Sequence, residues 1–273
     1  MINSLEETAR KLRRRIIEYS YKTKTPHLGS CLSCIDILVV LYFDIANVNP
    51  NSPNDPDRDK VILSKGHAAP ALFQVLALKG FFPYESLINS DHVNGGLFGE
   101  HPPTPSHLPG IEAATGSLGH GMPMGVGMAL ANRIQGRDAR VFAVLGDGEC
   151  NEGSIWEAAM FAGSHRLDNL TVIVDFNKWQ ATDRSSDVLA INPFKDKWSA
   201  FGWNTFEVDG HDIPSMIKLL QSDSNKSGQP LAIIAHTVKG KGIDFMEDDN
   251  NWHYRTPNAV EFAMALEQLG YDQ

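Results

Sequence analysis

Five short runs of β-branched and apolar residues constrain the fold of this chain most: Val61–Leu63, Val141–Leu145, Thr171–Asp175, Thr205–Val208 and Leu231–Ala235. They show little polar alternation, as expected of strands buried on both faces of a parallel sheet. Helical patterns separate them, including Leu118–Ile134, Ile155–Ser164 and Pro214–Leu220. Alternation of strand and helix predicts an α/β fold with a doubly wound, mainly parallel sheet. At 273 residues the chain suits one large domain, and we expect a single α/β domain over 1–273 with an N-terminal helical segment.

The segments just after these runs are rich in glycine and polar groups. Ser64-Lys65-Gly66-His67 follows the first and Gly146-Asp147-Gly148-Glu149 the second; Asp175-Phe176-Asn177 ends the third. Asp209-Gly210-His211-Asp212 ends the fourth, and His236-Thr237-Val238-Lys239-Gly240 follows the fifth. Open α/β sheets bind ligands beyond the carboxyl ends of their strands. Pro- and Gly-rich stretches at Asn49–Asp59 and Asn94–Gly110 read as long surface loops, a length often tied to function.

The net charge of −9 disfavours sequence-independent nucleic-acid binding, which needs basic surface. The basic cluster Arg10, Lys11, Arg13, Arg14 and Arg15, interleaved with Leu12 and Ile16, reads as the solvated face of an amphipathic helix. No apolar segment of signal-peptide or membrane-spanning type occurs, so a cytoplasmic protein without membrane association is expected. Cys31 and Cys34 form a C-x-x-C pair with Cys150 as the third thiol. That is too few for a four-cysteine zinc site, and two small residues on a packed helix face are expected rather than a redox pair.

The span from Gly146 to Asn177 carries the most specific chemistry. Asp147 supplies a carboxylate oxygen past one strand and Asn177 an amide oxygen past the next. Adjacent parallel strands joined by a crossover helix bring such tips together. Two hard oxygen donors suit Mg²⁺, which offsets the charge of a bound diphosphate. Gly146 and Gly148 permit a tight turn and close backbone approach. The following helix presents its N-terminus to an anion. A bare Gly-Asp-Gly would be an ordinary strand–helix turn; with the asparagine at the next strand tip, metal–diphosphate binding is the better reading.

This segment resembles the thiamine-diphosphate-binding signature, and the likeness extends over nearly the whole chain to the transketolase family. It is carried in order by Pro26-His27-Leu28-Gly29-Ser30, Ser64-Lys65-Gly66-His67, Glu100-His101-Pro102, Thr115-Gly116-Ser117-Leu118-Gly119, Gly146-Asp147-Gly148-Glu149, Asn177-Lys178-Trp179, Lys239-Gly240-Lys241-Gly242 and Trp252-His253. The resemblance implies Asp147 and Asn177 as side-chain ligands of Mg²⁺ and Trp179 as a backbone-carbonyl ligand. Gly148 and Gly116-Ser117-Leu118 are implied as cofactor contacts, with Ser30, His67 and Lys239 around the diphosphate and thiazolium. The resemblance further implies that His27, His101 and His253 line the substrate channel, with His67 joining them as a catalytic histidine. The chemistry implied by the resemblance is cleavage of a carbon–carbon bond in a ketose, with loss of a proton from the donor hydroxyl. Imidazole suits the proton transfer, and the electronic work belongs to the cofactor.

For His92, His107, His165 and His236 a structural role is the default. His211 precedes Asp212, an N-cap candidate for the helix at Pro214, and reads as a turn residue. His120 stands where the family usually has glutamine; either a cofactor-facing role or altered hydrogen bonding fits. Gly121, Gly125 and Gly127 fit either packing on the sheet or a subunit interface. Glu152 fits either a helix-start carboxylate or, as in the family, that interface.

Full transketolases are more than twice this long and carry a second domain with the glutamate that activates the cofactor. The resemblance therefore implies the N-terminal subunit of a split transketolase, active with a separately encoded C-terminal subunit, as a heterotetramer, on sugar phosphates. The competing expectations are the α-subunit of a 2-oxo acid dehydrogenase and a non-catalytic thiamine-diphosphate-binding protein.

Overall fold

The structure is a computed structural model and describes residues 2–90, 95–222 and 228–270. His92, expected to be structural, lies outside the described residues, as does Asn94 at the start of the second long loop.

The five expected strands are present, each within two residues of the sequence reading: β1 Lys60–Leu63, β2 Val141–Gly146, β3 Leu170–Phe176, β4 Asn204–Asp209 and β5 Leu231–His236. All pairings are parallel, and the order across the sheet is β1-β2-β3-β5-β4. The helices are α1 Ile2–Thr23, α2 Leu28–Ser33, α3 Ile35–Val40, α4 Ala69–Lys79, α5 Tyr84–Ser90 and α6 Gly121–Ile134, then α7 Gly153–Ser164, α8 Ser185–Val188, α9 Phe194–Ala200, α10 Ile213–Leu220 and α11 Ala259–Leu269.

Period-two alternation splits the strand residues between two cores. Leu63, Val144, Ile173 and Ile233 face one layer, packed with Leu12 and Ile16 of α1, Phe73 of α4 and Met216 of α10. Ile62, Ala143, Val172 and Ile234 face the other, packed with Met122 of α6, Ile155 of α7 and Trp198 of α9. Both faces are covered, which is why the strands read as continuous apolar runs.

Local chemistry sets the element boundaries. Asp212 caps α10, its carboxylate accepting from the Ser215 N–H at 3.0 Å, and Pro214 sits in the first turn. Asn258 and Glu261 form a capping box at α11. The helix expected from Leu118 begins three residues later, at Gly121. Gly119 has φ +84°, and a Cβ there would lie 2.5 Å from Ser154 Oγ, so this turn is held in the left-handed region against α7. Gly121 and Gly125 pack inward: a Cβ on Gly121 would meet Ser64 Oγ at 2.5 Å, and one on Gly125 would meet Ile62. Gly127 is exposed.

The basic N-terminal helix departs from expectation. Arg13 is buried and ion-paired with Asp36 at the start of α3, and its Nε donates to the Lys241 carbonyl at 3.0 Å. Arg10 and Arg14 donate to the carbonyls of Leu269 and Gly270 at the end of α11. Their positive charge satisfies carbonyls that a helix terminus leaves orphaned. These three arginines join elements rather than forming a solvated face. His211 is structural, as expected: Nδ1 pairs with Asp36 at 2.7 Å and Nε2 accepts from the Val238 N–H at 2.9 Å. Cys31, Cys34 and Cys150 are buried free thiols.

Candidate active site

The carboxyl ends of β1, β2 and β3 meet over a cavity of about 340 Å³. Parallel pairing sets Gly146 beside Asp175, so the segments carrying Asp147 and Asn177 leave the sheet together. Asp147, Gly148, Asn177 and Trp179 line this cavity with Ser30 and His67. Gly116, Leu118 and His253 complete the sequence-derived residues in its wall. Ser117 is exposed beside them. His101 lies against the Gly116 turn: with φ +145°, Gly116 brings its backbone so close that a Cβ would lie 2.7 Å from the His101 ring.

Three imidazoles converge above the strand ends. Ring centroids are 5.5 Å apart for His27 and His67, 5.1 Å for His27 and His253, and 5.6 Å for His67 and His253. Backbone geometry fixes the group, since the His27 N–H donates to the His253 carbonyl at 2.9 Å and His27 itself has φ +69°. Burial holds His27 down at about 4 and His253 at about 3, the latter helped by the charge of Lys239; burial and Lys65 hold His67 well below its usual value. The rings are therefore neutral near pH 7, farther from neutrality in pKa than imidazole chemistry alone suggests. A bound anion would raise them. Lys239, pushed down to about 8 by burial and then by Lys65, lies 3.1 Å from His253 Nδ1 and donates to Asn250 Oδ1 at 2.6 Å. An ammonium only donates, so His253 Nδ1 accepts and its Nε2 carries the hydrogen. His27 Nδ1 is buried without a hydrogen-bond partner.

The donor set fits a cation and an anion. Asp147 is buried, and burial raises its pKa to about 6 against the hydrogen bond from Ser185 (2.7 Å); Asp175 adds repulsion. A carboxylate so placed gains from a cation. Asn177 offers Oδ1, now accepting from the Trp179 N–H at 3.1 Å. Gln180 Nε2, in the cavity wall, is buried without a partner.

Three buried charged residues at the cavity, Lys65, Asp175 and Glu149, lie in quoted segments but have no role assigned from sequence. Asp175 and Lys65 form a fully buried ion pair. Asp175 also accepts from Ser33 at 2.6 Å, from Thr237 and, at 3.4 Å, from Asn177 Nδ2; Lys65 donates to the Ser30 carbonyl at 3.1 Å. One carboxylate thus ties α2 to the ends of β1, β3 and β5. Its signal was a charged residue ending an apolar strand, which requires a buried partner. Glu149 accepts from Ser64, from Gly119 N–H at 3.0 Å and from Gly146 N–H at 3.2 Å, joining the Gly116–Gly119 turn to β1 and β2.

The remaining histidines lie in local contacts: His107 bonds Thr104, His165 stacks on Phe161, and His236 pairs with Glu207. His120 is exposed and bonded to the Leu118 carbonyl, and Glu152 is exposed at the start of α7. A wider cleft of about 740 Å³ at the amino ends of the strands is lined by Arg133, Arg140 and Asp168. Arg133 is paired with Asp168 and Arg140 with Asp59, and no histidine is among the residues lining this cleft.

A parallel α/β sheet with Asp147 and Asn177 at adjacent strand tips and three histidines above them has the geometry of an α/β ligand-binding domain. The model for the transketolase thiamine diphosphate binding domain matches residues 4–273, and the chain belongs to that family. It is 38% identical over 268 residues to an apulose-4-phosphate transketolase subunit of Phocaeicola vulgatus, covering 98% of this chain and 94% of that one. It is 40% identical over 248 residues to a 6-deoxy-6-sulfo-D-fructose transketolase subunit of a Clostridium species, covering 89% and 88%. The crystal structure of Campylobacter jejuni transketolase superposes with a TM-score of 0.92 at 31% identity, covering all of this chain and 43% of that one. The chain likewise spans 43% of mouse transketolase. No helix among the described residues is long and apolar enough to cross a membrane.

Proposed function

We propose that this chain is the cofactor-binding subunit of a split transketolase, transferring a two-carbon ketol unit from a ketose phosphate to an aldose. The observation that carries the reading is the trio of neutral imidazoles beside the Asp147–Asn177 cavity. The two subunit relatives, which match this chain over nearly their whole lengths, support the split arrangement. The chain forms one diphosphate-binding domain over 1–273 with α1 as its helical extension, and two copies assemble with two of a separate C-terminal subunit. Its unpaired, buried thiols suit the cytoplasm.

Asp147, Asn177 and the Trp179 carbonyl would hold Mg²⁺, whose charge would offset that of the diphosphate. Gly148, Gly116, Ser117 and Leu118 admit the cofactor, while Ser30, His67 and Lys239 surround its diphosphate and thiazolium. When bound, thiamine diphosphate supplies the carbon nucleophile that carries the two-carbon unit. His253, with hydrogen on Nε2, donates to a substrate oxygen. His27, whose Nδ1 has no partner, takes the proton from the donor hydroxyl next to the breaking bond. His67 and His101 bind the sugar beside them.

The test is co-expression with candidate C-terminal transketolase halves, followed by assay with a ketose phosphate and an aldose phosphate, or with a 2-oxo acid. Ketose consumption with release of an aldose two carbons shorter is expected. Consumption of the 2-oxo acid would place the chain with the dehydrogenases. Cofactor binding without transfer in an assembled complex would make it a binding protein.

A further inference from the structure

We propose that Tyr254 is a substrate contact that sets which ketose this site prefers; the inference rests on the transketolase reading above. Tyr254 is 67% exposed, yet its ring stands edge-on to His253 with centroids 4.6 Å apart and lies 6.0 Å from His27. With Trp179 and Ala181 it belongs both to the cofactor cavity and to an adjoining open recess.

Its backbone position is set by the turn that precedes it. It follows the turn Asn250–His253, which is fixed by the His27 N–H on the His253 carbonyl and by the Arg255 N–H on the Asn251 carbonyl at 3.2 Å. The neighbouring Arg255 turns its guanidinium over the Trp252 ring and pairs with Glu261.

The imidazole trio serves the carbons at the breaking bond. Tyr254 borders the passage from the cavity to the adjoining recess, so a sugar chain reaching outward from the trio would pass it. Sugar C–H groups pack on an aromatic face, and a phenol adds a donor and acceptor for hydroxyls. Ordering a tyrosine costs little conformational entropy because it has two side-chain torsions. The ring also takes up room, so it selects against donors branched or bulky beyond the reacting carbons. A position that grips one part of a substrate changes discrimination between donors rather than the chemistry at the cofactor.

The experiment uses the cofactor-loaded assembly with its C-terminal subunit and compares wild type, Tyr254→Phe and Tyr254→Ala. Donors are xylulose 5-phosphate, fructose 6-phosphate and sedoheptulose 7-phosphate. Tyr254→Ala is expected to change the ratios of kcat/KM among donors by about tenfold, mainly through KM. Tyr254→Phe keeps the ring and is expected to shift the ratios less. In a second measurement, calorimetric binding of arabinitol 5-phosphate, which has no carbonyl to react, should weaken by about tenfold in Tyr254→Ala. Unchanged ratios and unchanged polyol binding, or an effect confined to subunit association, would overturn the proposal. Absence of transfer by wild type on every ketose would instead refute the transketolase reading, while the polyol measurement still reports on Tyr254.

Discussion

Replacing Lys65 by Met would remove the cation from the buried pair with Asp175. Both side chains are essentially inaccessible, at 1% and 0% exposure. Removing one member of a buried pair costs ~3–5 kcal/mol because it leaves a charge without its partner. Asp175 would keep donors from Ser33, Thr237 and Asn177, which places the loss near the lower end, about 3 kcal/mol. Unfolding entropy of ~2 cal/mol/K per residue gives roughly 0.6 kcal/mol/K for a chain of 273 residues, so the Tm should fall by about 5 °C. Asp175→Asn leaves Lys65 with the Ser30 carbonyl and should cost a similar amount. The double variant Lys65→Met/Asp175→Asn removes both charges and should be more stable than Lys65→Met alone. Urea unfolding of the four proteins gives the coupling energy, expected to exceed about 1 kcal/mol. Single variants each within about 0.5 kcal/mol of wild type, with additive effects, would refute the reasoning.

Burial lowers the pKa of His27 to about 4 and of His253 to about 3, so the unfolded chain, with histidine near 6.5, binds protons first as pH falls. Their contribution to stability is full above about pH 6.5 and is lost as pH falls from there to about 4 for His27 and about 3 for His253, at ~1.4 kcal/mol per pH unit for each ring. His27→Gln should therefore show a shallower fall of Tm with pH over that window; a slope equal to wild type would contradict it. Asp147→Asn should reduce Mg²⁺-dependent thiamine diphosphate binding at least about tenfold, read by calorimetry, because the neutral amide no longer offers the metal a carboxylate. Chelation of the metal should release cofactor from wild type, and retention of cofactor in excess chelator would count against the metal site.

The strands were legible because a sheet covered on both faces leaves unbroken apolar runs, and the cavity because its residues sit just past them. Asp147 and Asn177 are far apart in sequence, yet parallel pairing sets Gly146 beside Asp175 and so brings their segments together. The roles of Lys65, Asp175 and Glu149 were not legible, since each depends on partners from other strand ends. Lys65 stood within a recognised segment, but its spacing said nothing of a partner on β3. The N-terminal arginines misled for a related reason: Leu12 and Ile16 mark one buried face of α1, while Asp36 and the α11 carbonyls that take up Arg13, Arg10 and Arg14 lie far off in sequence. Imidazole chemistry suggested histidines titrating near neutrality, whereas burial and two nearby lysines hold them lower.

The central claim is that this chain holds the diphosphate end of the cofactor while its activation requires a second subunit. Deuterium exchange at the thiazolium C2 position of thiamine diphosphate, followed by NMR with Mg²⁺ and saturating chain, tests it directly. Cofactor should be bound by this chain with exchange close to its rate in buffer, and adding the C-terminal subunit should accelerate exchange strongly. Full acceleration by this chain alone would contradict it.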